Sequence, residues 1–100
     1  MDIKQNQNVF FNTKFKKQTY FGNFEKGKFE GVGEAIYNND EKYVGNFENG
    51  KINGVGKYIY CNKEKYMGIF ENGLKKGTGK FEYANRDIFI GQFDDKEDHF

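Results

Sequence analysis

The 100-residue chain has no serine, proline or tryptophan, and only one cysteine (Cys61), one histidine (His99) and one leucine (Leu74). Without serine there is no Ser/His/Asp triad, and a lone thiol with a lone imidazole does not make a zinc site. A single cysteine also permits no intrachain disulfide. No apolar run is long enough for a signal peptide or a membrane-spanning helix, so the chain reads as cytoplasmic and soluble. The net charge of +1 excludes the strongly basic face of a nucleic-acid binder. That charge is unevenly placed. Residues 1–80 hold 14 lysines against 9 acids, whereas residues 81–100 hold Arg86 and Lys96 against 6 acids. A basic head and an acidic tail favour head-to-tail contact between molecules.

Aromatic residues and glycine are plentiful: 12 Phe, 7 Tyr and 13 Gly. The stretch GNFENGKINGVGKYIY, residues 45–60, opens with Gly-x-x-x-x-Gly-Lys, most of a phosphate-binding loop. Ile52 follows the lysine where such a loop needs Ser or Thr for magnesium. The same spacing returns at Gly22–Lys28 and, with Leu74 replacing the lysine, at Gly68–Gly73. A phosphate cradle does not recur in this way, whereas a structural turn does. The recurrence belongs to a repeat of 23 residues that divides the chain into a tail (1–19), three repeats (20–42, 43–65, 66–88) and a truncated fourth with an acidic tail (89–100).

All 13 glycines fall at four phases of this period, so each phase answers a geometric need. In YVGNF, the residues Tyr43, Gly45 and Phe47 alternate with Val44 and Asn46, the signature of a strand with one aromatic face. The glycine leaves room there for a ring from a neighbouring strand. The Asn and Gly of ENGKING supply positive φ for a reversal, after which Gly56, Tyr58 and Tyr60 share a face again. Each repeat is therefore predicted to be a β-hairpin, and the fold an all-β, elongated, twisted antiparallel sheet of stacked β-hairpins. Three ladders of rings are expected: Tyr20, Tyr43, Tyr66 and Phe89; Phe24, Phe47, Phe70 and Phe93; Tyr37, Tyr60 and Tyr83. Two strands per repeat, each about 4.8 Å from the next, predict an array about 35 Å long.

The pattern of residues 43–60 closely resembles the membrane occupation and recognition nexus (MORN) repeat: aromatic, any residue, Gly, any residue, aromatic, then a Gly-Lys turn and Gly-x-Gly. Three full repeats and the first strand of a fourth fit it. The departures are Leu74 at the turn lysine, followed by Lys75 and Lys76, and Asp94, Asp95 and Lys96 where the fourth turn needs a glycine. The fourth repeat thus ends in an acidic cap or at the edge of a longer parent. Residues 9–19 are read as a degenerate strand of an earlier repeat, with Phe11 and Phe15 as its aromatics. The resemblance implies a non-catalytic module: a scaffold in cytoskeletal or ciliary assemblies, a membrane-junction adaptor, or an appendage of a lipid kinase or methyltransferase.

Two surfaces follow as candidates. One sheet without a covering helix cannot bury both faces, so Tyr43, Phe47, Tyr58, Tyr60, Tyr66, Phe70, Phe81 and Tyr83 are expected to line an aromatic groove open to a peptide or helix of a protein partner. Alternatively these rings pack only on each other and on the glycines. Lys28, Lys51, Lys75 and Lys76, with Lys14, Lys16 and Lys17, form a row beside the turns suited to an anionic membrane surface, although Glu25, Glu48 and Glu71 oppose it. Open edges suit a homodimer, with Phe89–Phe93 as one edge and Asp94 and Asp95 placed to resist pairing there. No catalytic residue, metal or cofactor is called for: Cys61 has no histidine near it in sequence.

Overall fold

The computed structural model describes the backbone of residues 7–12, 17–37 and 39–96 and the side chains of residues 19–37 and 39–96. The described residues form eight strands: β1 (Gln7–Asn12), β2 (Lys17–Glu25), β3 (Lys28–Tyr37), β4 (Lys42–Glu48), β5 (Lys51–Ile59), β6 (Lys65–Glu71), β7 (Leu74–Glu82) and β8 (Ile88–Asp94). They form one antiparallel sheet in chain order, each strand bonded to its sequence neighbours. Among the described residues there is no helix. The stacked hairpins are those the period predicts. The sheet measures 45 × 24 × 24 Å. A flat sheet is far thinner than it is wide, so equal second and third extents mean that this one coils out of its own plane. Its length exceeds the expected 35 Å partly because β1 adds a strand.

Each hairpin turn is two residues long. Lys26 and Gly27, Asn49 and Gly50, and Asn72 and Gly73 all have positive φ, as a type I′ turn requires. Glu25 faces Lys28, Glu48 faces Lys51, and Glu71 faces Leu74 across them. The long connections use a different device. Asn39, Asn62 and Asn85 accept hydrogen bonds from the N–H groups of Glu41, Glu64 and Asp87 two residues on. Asparagine side chains make this turn readily.

Of the stretch 9–19, residues 9–12 lie in β1 and residues 17–19 in β2, and β1 places Gln7, not a glycine, opposite Gly22. No glycine pair sets its register as in the repeats. Phe15, Lys14, Lys16 and His99 lie outside the described residues, as do the side chains of Phe11 and Lys17.

Gly22 faces Gly33, Gly45 faces Gly56, Gly68 faces Gly79, and Gly79 faces Gly91. The ring over each hairpin's pair comes from the first strand itself. A Cβ on Gly45 or Gly56 would collide with Tyr43, two residues before Gly45. The ring therefore lies along its own strand and across the next, a refinement of the expectation that a neighbouring strand supplies it. The strand register shifts beside each pair, and the tyrosine hydroxyl donates to a carbonyl at that shift: Tyr20 to Asn23 O at 3.0 Å, Tyr43 to Asn46 O at 2.9 Å and Tyr66 to Ile69 O at 3.1 Å. The hydroxyl of each buried tyrosine thus finds a backbone acceptor on its own strand.

Candidate interaction surfaces

The aromatic face closes on itself. Tyr43, Phe47, Tyr58, Tyr66 and Phe70, expected as groove walls, are buried, together with Tyr20, Phe29, Ala35 and Ile52. The first two expected ladders are one zigzag of edge-to-face contacts: Phe47 meets Tyr20 at 5.1 Å and Tyr43 at 5.2 Å, and Phe70 meets Tyr43 at 5.3 Å and Tyr66 at 5.1 Å. Each phenylalanine wedges between the tyrosines of its own repeat and the preceding one. These five rings are core, because a ring with no accessible surface has none to offer a partner. Of the candidate groove residues, Tyr60 and Phe81 are half-buried and Tyr83 is exposed. Tyr60 and Phe81 pack at 5.8 Å, and Phe81 and Tyr83 at 4.9 Å. A pocket of about 440 Å³ lies beside them, between Glu41, Tyr60, Cys61, Lys75 and Phe81.

Burial disfavours the phenolate form and raises the pKa of Tyr20, Tyr43, Tyr58, Tyr60 and Tyr66 above the ordinary 10. For Tyr58, donation to the Glu41 carboxylate at 2.8 Å adds to this. In the unfolded chain these hydroxyls ionise near pH 10, whereas in the folded chain they keep their protons. Stability is therefore complete below pH 10 and falls as pH rises beyond it. Urea denaturation between pH 8 and pH 12 should show a midpoint that is flat to about pH 9.5 and then drops.

The basic row is broken. Lys28 and Lys51 do flank their turns, each opposite a glutamate. Lys76 pairs with Asp94 at 2.8 Å, and Lys75 with Asp95 at 2.9 Å. Lys76 and Lys96 together hold the Asp94 carboxyl down at about 2. The two aspartates thus clamp β8 to β7 rather than guarding the open edge. Lys75 occupies the repeat phase of Phe29 and Ile52 and points into the aromatic face. Its ammonium lies 5.9 and 5.8 Å from the ring centroids of Tyr60 and Tyr66 and donates to the Tyr60 hydroxyl at 3.3 Å. Burial works against its charge, but Asp95 and Tyr60 outweigh that, and its pKa is raised.

The two ends of this pair should respond unequally to mutation. Asp95→Asn strands a cation whose side chain is 14% exposed and should cost about 1 to 2 kcal/mol, less than for a fully buried pair. Lys75→Ile with Asp95→Asn restores the side chain of the preceding repeat and should stay within about 1 kcal/mol of the parent. Chemical denaturation of both variants checks this.

The opposite face is the open one. Among the described residues eleven large hydrophobics are exposed, and strand alternation puts nine of them there: Phe21, Val32, Ile36, Val44, Val55, Met67, Ile69, Ile88 and Ile90. Val32, Val55 and Ile90 are 65–68% exposed. Sequence reasoning looked for the surface among the aromatics and missed these; the alternation of Val44 with Tyr43 was the available signal.

The repeat itself decides the family. A family model described as the MORN repeat matches residues 20–41, 43–65 and 66–88, more than half of the chain. The chain belongs to the MORN repeat family. Comparison with curated proteins finds no match. MORN repeats are generally modules for interaction with proteins or membranes, and the family is typically non-catalytic. In this MORN array, the matched repeats correspond to the hairpins β2–β3, β4–β5 and β6–β7, and β8 continues the sheet.

Proposed function

We propose that this MORN array is a non-catalytic scaffold or adaptor that holds a protein partner on the face opposite its aromatic core. The observation that carries this reading is the apolar surface there: nine large hydrophobics on a single sheet with no described element packed over them. Exposed apolar side chains gathered on one uncovered face mark interaction sites. The aromatic face has spent most of its rings on its own core.

The test compares two variants of the tagged chain in quantitative affinity capture from a lysate of the native cell. Val55 and Ile69 face each other across β5 and β6, so Val55→Lys with Ile69→Lys places two charges at the centre of the surface. This variant should lose captured partner at least tenfold, while Tyr83→Lys on the aromatic face retains it. The reverse result would move the docking surface to Tyr60, Phe81 and Tyr83. Thermal unfolding of each variant controls for loss of fold.

A further inference from the structure

The apolar residues of the open face do not stand alone. Val44 faces Lys57, Lys57 faces Met67, Met67 faces Lys80, and Lys80 faces Ile90. One row of side chains thus runs across five strands, alternating apolar and cationic. A second row runs beside it, with Lys42, Ile59 and Lys65 alternating before Glu82 and Ile88. Lys42 is tied to Glu34 at 3.0 Å, while Lys57, Lys65 and Lys80 form no ion pair among the described residues.

Spacing decides what fits this row. Adjacent strands are about 4.8 Å apart, so apolar groups recur about every 10 Å and lysines lie midway between them. One stripe of an α-helix has the same metric: positions i and i+3 or i+4 are separated by about 4.5 to 6 Å along the axis, and i and i+7 by about 10.5 Å. The same-face residues of an added strand recur about every 6.8 Å and fall out of step within two residues. We propose that this face receives an acidic amphipathic α-helix of a partner protein, laid across the strands, whose apolar side chains at heptad spacing meet Val44, Met67 and Ile90 and whose carboxylates meet Lys57 and Lys80.

This inference rests on the docking reading above and names the chemistry of the partner. The row spans about 19 Å, which about 13 helical residues cover. The lysine stems pack beside the apolar groups while their ammonium groups stay in water, and an opposed carboxylate adds selectivity for charge pattern more than raw affinity. Glu34 faces Val44 just beyond the end of this row, and Glu82 faces Lys65 in the row beside it. A bilayer lies over the whole face, where both glutamates offset the lysines, whereas the carboxylates of a helix confined to this row meet Lys57 and Lys80.

The probe is a labelled 21-residue helical peptide with leucine at positions i, i+7 and i+14 and glutamate at i+3, i+4, i+10 and i+11. Its counterpart carries lysine in place of glutamate. Fluorescence anisotropy with the full chain should show the glutamate peptide binding at least tenfold more tightly, with affinity falling at least tenfold between 50 and 500 mM salt. Lys57→Glu with Lys80→Glu should reverse the preference between the peptides. Equal affinity for both peptides, or no binding of the glutamate peptide at 1 mM protein, overturns the proposal. If the double charge reversal fails to fold, the peptide comparison and salt dependence on the parent chain still decide. Vesicles containing one-third phosphatidylserine serve as the parallel arm: binding to them, lost in the charge reversal and unaccompanied by peptide binding, would make the surface a membrane contact and overturn the helix. If the peptide fails while Val55→Lys with Ile69→Lys still abolishes partner capture, the helix is wrong and the docking face stands. If neither has an effect, both readings fall.

Discussion

Gly45→Ala is expected to lower the melting temperature by about 15 °C or more, the steepest loss from adding a single methyl group to this chain. A Cβ at this position would lie 2.5 Å from Gly56 Cα, 2.6 Å from Val55 O and 2.6 Å from Tyr43 Oη. Two of these three atoms are backbone, so no rotamer change relieves the contact and β4 must move away from β5. Such a shift also displaces the buried Tyr43 ring and breaks its bond to Asn46 O. Overpacking typically costs about 1 to 3 kcal/mol, with contact against backbone at the top of that range, and the lost hydrogen bond costs about 1 more, so about 4 kcal/mol is expected in total. Gly50→Ala is the control. It has a positive φ of 83°, yet its nearest outside atom would be Lys28 Cβ at 3.9 Å, so only backbone strain of about 1 to 2 kcal/mol applies. Thermal unfolding of the two variants side by side separates close approach from turn conformation. Equal losses would refute the first.

Phe47→Ala should cost about 3 to 5 kcal/mol, the range for removing a large buried ring. Phe47 is 4% exposed and meets Tyr20 and Phe29 of the first repeat as well as Tyr43 of its own. In an array whose stability is a sum of repeats and nearest-neighbour interfaces, this ring belongs to an interface. Its loss should therefore uncouple the first hairpin as well as lower the midpoint, and urea unfolding should become broader. Phe93 sits at the equivalent phase in β8, is only half-buried and contacts Tyr66 and Phe89. Phe93→Ala should cost about half as much, because a partly exposed ring has less area to lose. Similar costs for the two variants would mean that the zigzag is not the source of cohesion.

These two positions also show how far the sequence could be read. The need for glycine at position 45 was legible, because four glycines share its phase and Tyr43 and Phe47 flank it with period-2 alternation. What the glycine faces was legible only in part: the register set by the two-residue turns, and not composition, brings Gly56 opposite. Phe47 was assigned to the right face, but its role stayed open between groove wall and core. Alternation says which side of a sheet a ring occupies; whether another strand's ring then closes over it depends on the coil of the sheet and the interleaving of neighbouring repeats.

By itself, the sequence determined that the chain is a 23-residue repeat of β-hairpins, where the chain turns, and which residues point to the aromatic side. These properties follow from local sterics: asparagine and glycine adopt positive φ in tight turns, and side chains alternate along a strand. Tertiary structure alone decided that the aromatic side is core and the opposite side open, that Lys75 and Lys76 are held by Asp95 and Asp94 rather than joining a basic row, and that Val44, Lys57, Met67, Lys80 and Ile90 stand in line. Burial, ion pairing and cross-strand rows depend on which residues other strands place alongside, and that depends on register and curvature accumulated over the whole sheet.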